Sequence, residues 1–365
     1  MRVAGRVVTP SGVVDGFVEV SQGRVAAVSP GELPAHPRWI VPGFVDIHNH
    51  GGGGHTFTTG EPGSASAAAA FHLAHGTTTL LASLVSAPYE LMRDATAAFT
   101  PLVAAGVLAG IHFEGPYLSS VRCGAQNPDF LRDPSTDELA ALIELGGGSV
   151  RMVTLAPERD GALPAIKLLT AHGVVAAIGH TDATYEQTLA GIAAGASVGT
   201  HVFNGMRPPH HREPGPVFAL LTAPSVVCEL VADGIHLHDG TLSFATTVTG
   251  PDRAALVTDA IAAAGMGDGR YELGGQEVVV ADRVARLARG GAIAGSTLTM
   301  DAALRQAVGA GVSLVDACRM ASTTPALAVG VGDTVGALQP GWRADLVVLD
   351  DELHVSRVMR GGTWL

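Results

Sequence analysis

"WIVPGFVDIHNH", residues 39–50, is an apolar run that closes on two histidines one residue apart. Alternate residues of an extended chain point to the same side, so His48 and His50 present both imidazoles together. The same shape recurs along the sequence: "GTTTLLASLV" (76–85), "VLAGIHFEG" (107–115), "VRMVTLAPE" (150–158), "GVVAAIGH" (173–180), "ASVGTHVFN" (196–204), "SVVCELVADGIH" (225–236) and "AALVTDAI" (254–261). Each run is short, and Ala-rich sequence with helical spacing follows it. Eight such runs predict parallel strands buried on both faces. A closed (β/α)8 TIM-like barrel over residues 41–334 is the economical arrangement, with a doubly wound sheet as the alternative.

Outside that region the texture changes. "RVVTPSGVVDGFVEVSQGRVAAVSPG" (6–31) alternates valine with polar residues and places Ser-Gly, Asp-Gly and Gln-Gly at its corners. "GALQPGWRADLVVLDDELHVSRVMRGG" (336–362) returns to that style, so residues 1–40 and 335–365 are expected to build one small β-sandwich module. A late hairpin is expected at "RYELGGQEVVVADRVARLARGG" (270–291).

Composition narrows the function. The chain of 365 residues is 47% hydrophobic and 15% charged, enough to bury a large core. Its formal charge of −12 opposes general attraction to nucleic acid or anionic membranes, so an anionic substrate needs local cations. Lys167 is the only lysine, which removes the P-loop. "GMGDGRYELGG" (265–275) leads into strand-like sequence, not a phosphate-binding turn and helix, and no GxSxG elbow occurs. No apolar stretch approaches the roughly 18 residues of a membrane span, and the N-terminus lacks a signal-peptide core. Three cysteines without a CxxC pair fit a reducing compartment, so the expectation is a soluble, cytoplasmic protein.

The polar residues fall at one place in each unit. His48, His50, Glu114, His180, His201, His236 and Asp259 all sit at or just past the end of an apolar run. In a barrel those ends converge on a single mouth, so residues far apart in sequence become neighbours. Histidines and carboxylates gathered there match the nitrogen and oxygen ligands of zinc or a similar divalent cation. Singly, a residue such as His180 reads equally as a hydrogen-bonded structural histidine; recurrence at successive strand ends carries the metal reading. The glycines at 51–54 read either as a flexible turn or as backbone room beside the metal.

The ordered set "PGFVDIHNHG", "HFEGPYLS", "GHTDATY", "THVFNGMRPPHHREPG", "ADGIHLH", "LVTDAI" and "AGSTLTM" resembles the N-acetylglucosamine-6-phosphate deacetylases of the amidohydrolase superfamily, through nearly the whole chain. The resemblance implies Glu114, His180 and His201 as primary metal ligands and Asp259 as catalytic acid/base. His48 and His50, with Asp259, imply a second metal position, and Glu114 the bridging carboxylate. Relatives that bridge with a carboxylated lysine have no counterpart here, because Lys167 lies in helical sequence. One or two divalent ions per subunit are expected, zinc first, with iron, manganese, cobalt or cadmium as alternatives.

The same resemblance implies a phosphorylated N-acetyl amino sugar as substrate, with the acetyl group removed as acetate and the galactosamine epimer or another amide as the alternative. Arg212 with Asn204 and Gly205 would hold the phosphate, His236 would face the scissile amide, and Ile293, Ala294 and Gly295 would line the sugar pocket. Arg212 reaching a neighbouring subunit's site implies a homodimer; read from the residues alone, a surface pair with Glu213 is the commoner arrangement. One departure stands out. Where the family continues with lysine and a Gly-x-His that contacts substrate, this chain has "VRCGAQNPDF" (121–130), which puts Cys123, Ala125 and Gln126 in that loop. Gln126 can hydrogen-bond but cannot carry a proton charge, and Cys123 is either a neutral loop thiol or a group that gates substrate or touches metal. Cys228 and Cys318 read as core residues. A barrel that has lost catalysis would also have lost ligands, and none is missing.

Overall fold

In the computed structural model, which describes all of residues 1–365, eight parallel strands form the central sheet: β1 (Phe44–Asp46), β2 (Thr77–Leu84), β3 (Gly110–Glu114), β4 (Val150–Leu155), β5 (Val175–Ile178), β6 (Val198–Gly199), β7 (Val227–Val231) and β8 (Ala254–Val257). Each strand pairs with the next in chain order, from β1 through to β8. Closure comes just beyond β1 and β8, where Asp259 N–H donates to the His48 carbonyl at 2.9 Å and His50 N–H to the Ala260 carbonyl at 2.8 Å. Asp46 fastens this seam: its carboxylate accepts from the Thr258 hydroxyl (2.6 Å), the Asn49 amide (3.0 Å) and the backbone N–H groups of His48 and Thr258. Burial raises the Asp46 pKa, and these bonds partly offset it.

The runs form strands because both alternations are apolar; all eight residues of β2 are buried, as parallel strands under helices require. Helices α1 (Pro62–Ala74), α2 (Tyr89–Ala104), α3 (Thr136–Gly146), α4 (Ala162–Ala171), α5 (Tyr185–Ala193), α6 (Gly215–Thr222) and α7 (Asp239–Thr249) follow β1 to β7 in turn, and α8 (Met300–Gly309) follows β8 after an insert. Local chemistry sets their ends. Ser135 caps α3 through the Glu138 N–H, and Gly147 ends it at φ 52°; Thr184 and Gln187 cap α5 reciprocally.

The chain ends build one seven-stranded sheet from Arg2–Thr9, Gly12–Ser21, Arg24–Pro30, Trp39–Pro42, Leu346–Leu349, Val355–Arg360 and Thr363–Trp364. It curls until Val25 N–H reaches the Trp342 carbonyl, and Val18, Val25, Ile40, Leu346 and Met359 fill the space inside. Buried apolar residues number 69 in the main cluster, 10 in this module and 8 under the insert, so the barrel carries most of the apolar burial.

Two expectations change. "WIVPGFVDIHNH" is not one strand: Trp39–Pro42 belongs to the terminal sheet and Phe44–Asp46 to the barrel. Gly43 makes the crossing, where a side chain would meet the Thr78 hydroxyl at 2.3 Å. The late hairpin is a three-stranded antiparallel insert of Gly269–Leu273, Gln276–Ala281 and Val284–Leu287.

Candidate metal centre

The strand ends turn their side chains inward by leaving the extended conformation. His180 (φ 44°), His201 (φ 28°) and Asp259 (φ 49°) adopt left-handed backbone, which histidine and aspartate tolerate better than branched residues do. Just past β5, β6 and β8, these three meet Glu114 at the end of β3 and His48 and His50 just past β1. All six are buried.

The ligand atoms form two groups, one of Glu114, His180 and His201 and one of His48, His50 and Asp259. Glu114 spans them. Its Oε1 lies 3.0 Å from His180 Nε2, 2.8 Å from His201 Nε2 and 3.5 Å from His48 Nε2, while its Oε2 lies 3.2 Å from His50 Nε2. Asp259 Oδ1 stands 3.2 Å from His50 Nε2 and 3.6 Å from His48 Nε2. Glu114 thus sets Oε1 beside His180 and His201 and Oε2 beside His50, one oxygen toward each group.

The ring tautomers test whether a cation fits. His48 Nδ1 faces the Glu229 carboxylate at 2.9 Å, His50 Nδ1 the Ser83 carbonyl at 3.1 Å and His180 Nδ1 the Arg122 carbonyl at 2.9 Å. Such partners only accept, so each Nδ1 carries the hydrogen, and each ring in its neutral form turns an Nε2 lone pair inward. Inward, Nε2 atoms stand 3.2 Å apart in one group and 3.1 Å apart in the other, beside carboxylate oxygens. The His48 and His50 lone pairs so placed repel unless positive charge lies between them, and divalent cations fit the whole donor set.

The electrostatics agree. Burial disfavours the His50 imidazolium, but hydrogen bonds to Asp259 and Glu114 outweigh it and lift the ring to about 9. His48 is also raised, against burial, by Glu229, Glu114 and Asp259. Burial pushes the Asp259 carboxyl up, yet His48 and His50 hold it at about 2, and Glu114 is likewise lowered by its histidines. A field that favours extra protons also favours a metal ion. Below it, His112 bridges Ser83 and Thr154 and is kept neutral, chiefly by burial.

A pocket of about 250 Å³ opens above the centre. His50, Glu114, His180, His201 and Asp259 reach it, and Ala125, Gln126, Asn204, Gly205, His236, Ile293 and Gly295 also line it. Gly205 packs against the His180 ring, where a Cβ would stand 2.7 Å from Nδ1. Gln126 is tied down at both ends: its Nε2 donates to Glu114 Oε2 (2.6 Å) and its Oε1 accepts from Ser86 N–H (2.7 Å). Burial opposes the His236 imidazolium, but Asp233, 2.7 Å from Nδ1, raises His236 and is itself lowered. His236 Nε2 is left free of protein partners.

Other predicted residues do not line the pocket. His48 is fully buried behind His50, and Ala294 lies in the core under the insert. Cys123 is half-buried and outside the pocket lining. Arg212 is exposed, also outside the lining, with Nη1 2.7 Å from His211 Nε2 and no bond to Glu213. Cys228 and Cys318 are buried as expected. Of the four glycines, Gly51–Gly52 pairs with His55–Thr56 and Gly53–Gly54 makes the turn between them; a Cβ at Gly52 would meet His72 Nε2 at 2.5 Å.

Some functional neighbours escaped the sequence reading. Glu229 and Asp233 stand behind His48 and His236, and Val85, Gly124 and Leu273 join the pocket wall. A glutamate inside the apolar run "VVCELV" was a usable signal, since a buried carboxylate needs a partner. Leu273 had none, because it arrives from the insert through tertiary packing.

Barrel and buried His/carboxylate centre together define an amidohydrolase, and the chain belongs to the amidohydrolase family, whose model matches residues 39–365. Within that family it is similar to N-acetylgalactosamine-6-phosphate deacetylase of Escherichia coli O157:H7, at 38% identity over 97% of this chain and 96% of the relative. It is 33% identical to N-acetylglucosamine-6-phosphate deacetylase of Lysinibacillus sphaericus, over 95% and 91%. The solved N-acetyl-D-glucosamine-6-phosphate deacetylase of Mycobacterium smegmatis, in complex with N-acetyl-D-glucosamine-6-phosphate, superposes with a TM-score of 0.95 at 46% identity, over 99% of this chain and 97% of that one.

Proposed function

We propose that the protein removes the acetyl group of N-acetyl-D-glucosamine 6-phosphate by hydrolysis, giving D-glucosamine 6-phosphate and acetate. The observation that carries this is the Glu114 carboxylate spanning two inward-facing histidine groups at the floor of a pocket that Asp259 and His236 also face. Full-length similarity to deacetylases of phosphorylated N-acetyl amino sugars supports the substrate class.

Glu114, His180 and His201 would hold one divalent ion and His48, His50 and Asp259 a second, zinc first among the candidates. When bound, such ions lower the pKa of water at the site from about 15.7 to near 7 and polarise the acetyl carbonyl. Asp259 takes the proton of the attacking water and delivers it to the sugar nitrogen as the carbon–nitrogen bond breaks. His236, its Nδ1 engaged by Asp233, turns Nε2 toward the pocket and stabilises the developing oxyanion. Gln126 keeps Glu114 oriented, while Ile293 and Gly295 bound the sugar.

Arg212 would pair with the phosphate, and its exposure suits a group that serves the neighbouring site of a homodimer. Residues 41–334 form the catalytic domain in this account and the terminal module supports it. No helix is long and apolar enough to cross a membrane; the cytoplasm is the proposed location.

Acetate release by the metal-loaded protein is the test. Activity that requires the 6-phosphate and is lost to chelator supports the proposal; equal turnover of unphosphorylated N-acetylglucosamine overturns it. The 38% identical galactosamine relative favours a second reading, which a tenfold preference for that epimer would establish.

A further inference from the structure

Glu229 lies in β7 with no exposed surface, and its one ion-pair partner is His48. Oε2 accepts from His48 Nδ1 at 2.9 Å and from the His201 backbone N–H at 3.1 Å, while Oε1 has no partner. A single carboxylate oxygen therefore touches one residue from each ligand group. Among the four histidines, His50 and His180 give Nδ1–H to neutral carbonyls and His201 Nδ1 has no partner, so only His48 is backed by a carboxylate.

Charge makes this asymmetry consequential. Glu114, Asp259 and Glu229 bring three carboxylates into one buried cluster where no lysine or arginine pairs with them. One divalent ion leaves negative charge on these three carboxylates uncompensated in a medium that penalises it, and a second ion compensates it.

We propose that Glu229 is a positioning residue for the second ion. It fixes the His48 tautomer so that Nε2 faces inward, and it joins the two halves through the His201 backbone. The inference rests on the two-ion reading above.

Glu229→Gln separates charge from shape. Its amide oxygen can keep both bonds while the negative charge is removed. The purified metal-loaded chain is equilibrated in buffers of graded free zinc, bound zinc is counted per chain, and thermal unfolding is followed at saturating zinc. The expected result is a second ion bound at least about tenfold more weakly, the first changed by less than about twofold, and an unfolding midpoint close to that of the unaltered chain. In Mn2+-loaded protein the exchange-coupled pair spectrum should give way to a single-ion spectrum. Glu229→Asp, which keeps the charge but draws it back from His48, should also weaken the second ion and serves if the glutamine variant fails to fold. Equal weakening of both ions, or none, overturns the inference alone. An unaltered chain that binds only one zinc at saturation overturns the two-ion reading first and this inference with it.

Discussion

Asp259→Asn isolates proton transfer from architecture. Asparagine matches aspartate in shape and tolerates the left-handed backbone at this position (φ 49°), so the barrel seam should survive. The Asp259 backbone bonds to His48 and Ser296 are independent of the side chain. Glu114, His180 and His201 do not need Asp259 to hold their ion. What disappears is the proposed proton acceptor. No substitute is at hand, because Glu114 has Oε1 against His180 and His201 and Oε2 against Gln126. General acid–base catalysis contributes about 10²–10⁴-fold, so kcat should fall at least about a hundredfold, or about 2.7 kcal/mol at about 1.36 kcal/mol per tenfold. Initial rates of acetate release, with zinc counted on the same sample, are the assay. Near-normal turnover, or complete loss of zinc, would refute the reasoning.

Arg212→Ala should raise KM for the phosphorylated sugar by roughly tenfold or more, from the loss of a charge-assisted hydrogen bond, and leave turnover of any unphosphorylated substrate unchanged. Steady-state kinetics on both substrates check this, and an unchanged KM would remove Arg212 from phosphate binding. The His236–Asp233 pair predicts a pH signature. His236 is raised, so its contribution to stability is complete below about pH 6.5 and is lost as pH climbs through its native value; Asp233 is lowered, so its contribution is complete above about pH 3.9 and is lost as pH falls through its native value. Asp233→Asn keeps the acceptor for the Ile235 and His236 N–H groups but removes the charge. It should lower the unfolding midpoint most between about pH 4 and 6.5, and progressively less as pH climbs through the raised native value of His236; a difference independent of pH would contradict the pairing.

The barrel was legible because each strand is an apolar run with its polar residue at one end, and His180, His201, Glu114 and Asp259 stand where that pattern puts them. His48 and His50 were legible as a pair but not as a strand end: β1 stops at Asp46, and the histidines ride on the seam that closes the barrel. Periodicity could not show the crossing at Gly43, because apolar sequence continues on both sides of it. Gln126 was read as facing substrate, and it does line the pocket, yet its amide is also committed to Glu114, a bond set by loop geometry rather than spacing. Cys123 and Arg212 sit in loops whose course depends on tertiary packing, which residue spacing does not encode.

Anomalous X-ray scattering from crystals grown with zinc tests the central claim most directly. Two peaks are predicted, one about 2.0–2.3 Å from His180 Nε2, His201 Nε2 and Glu114, the other at similar distances from His48 Nε2, His50 Nε2 and Asp259. A zinc-saturated crystal with no peak among these six side chains would contradict it.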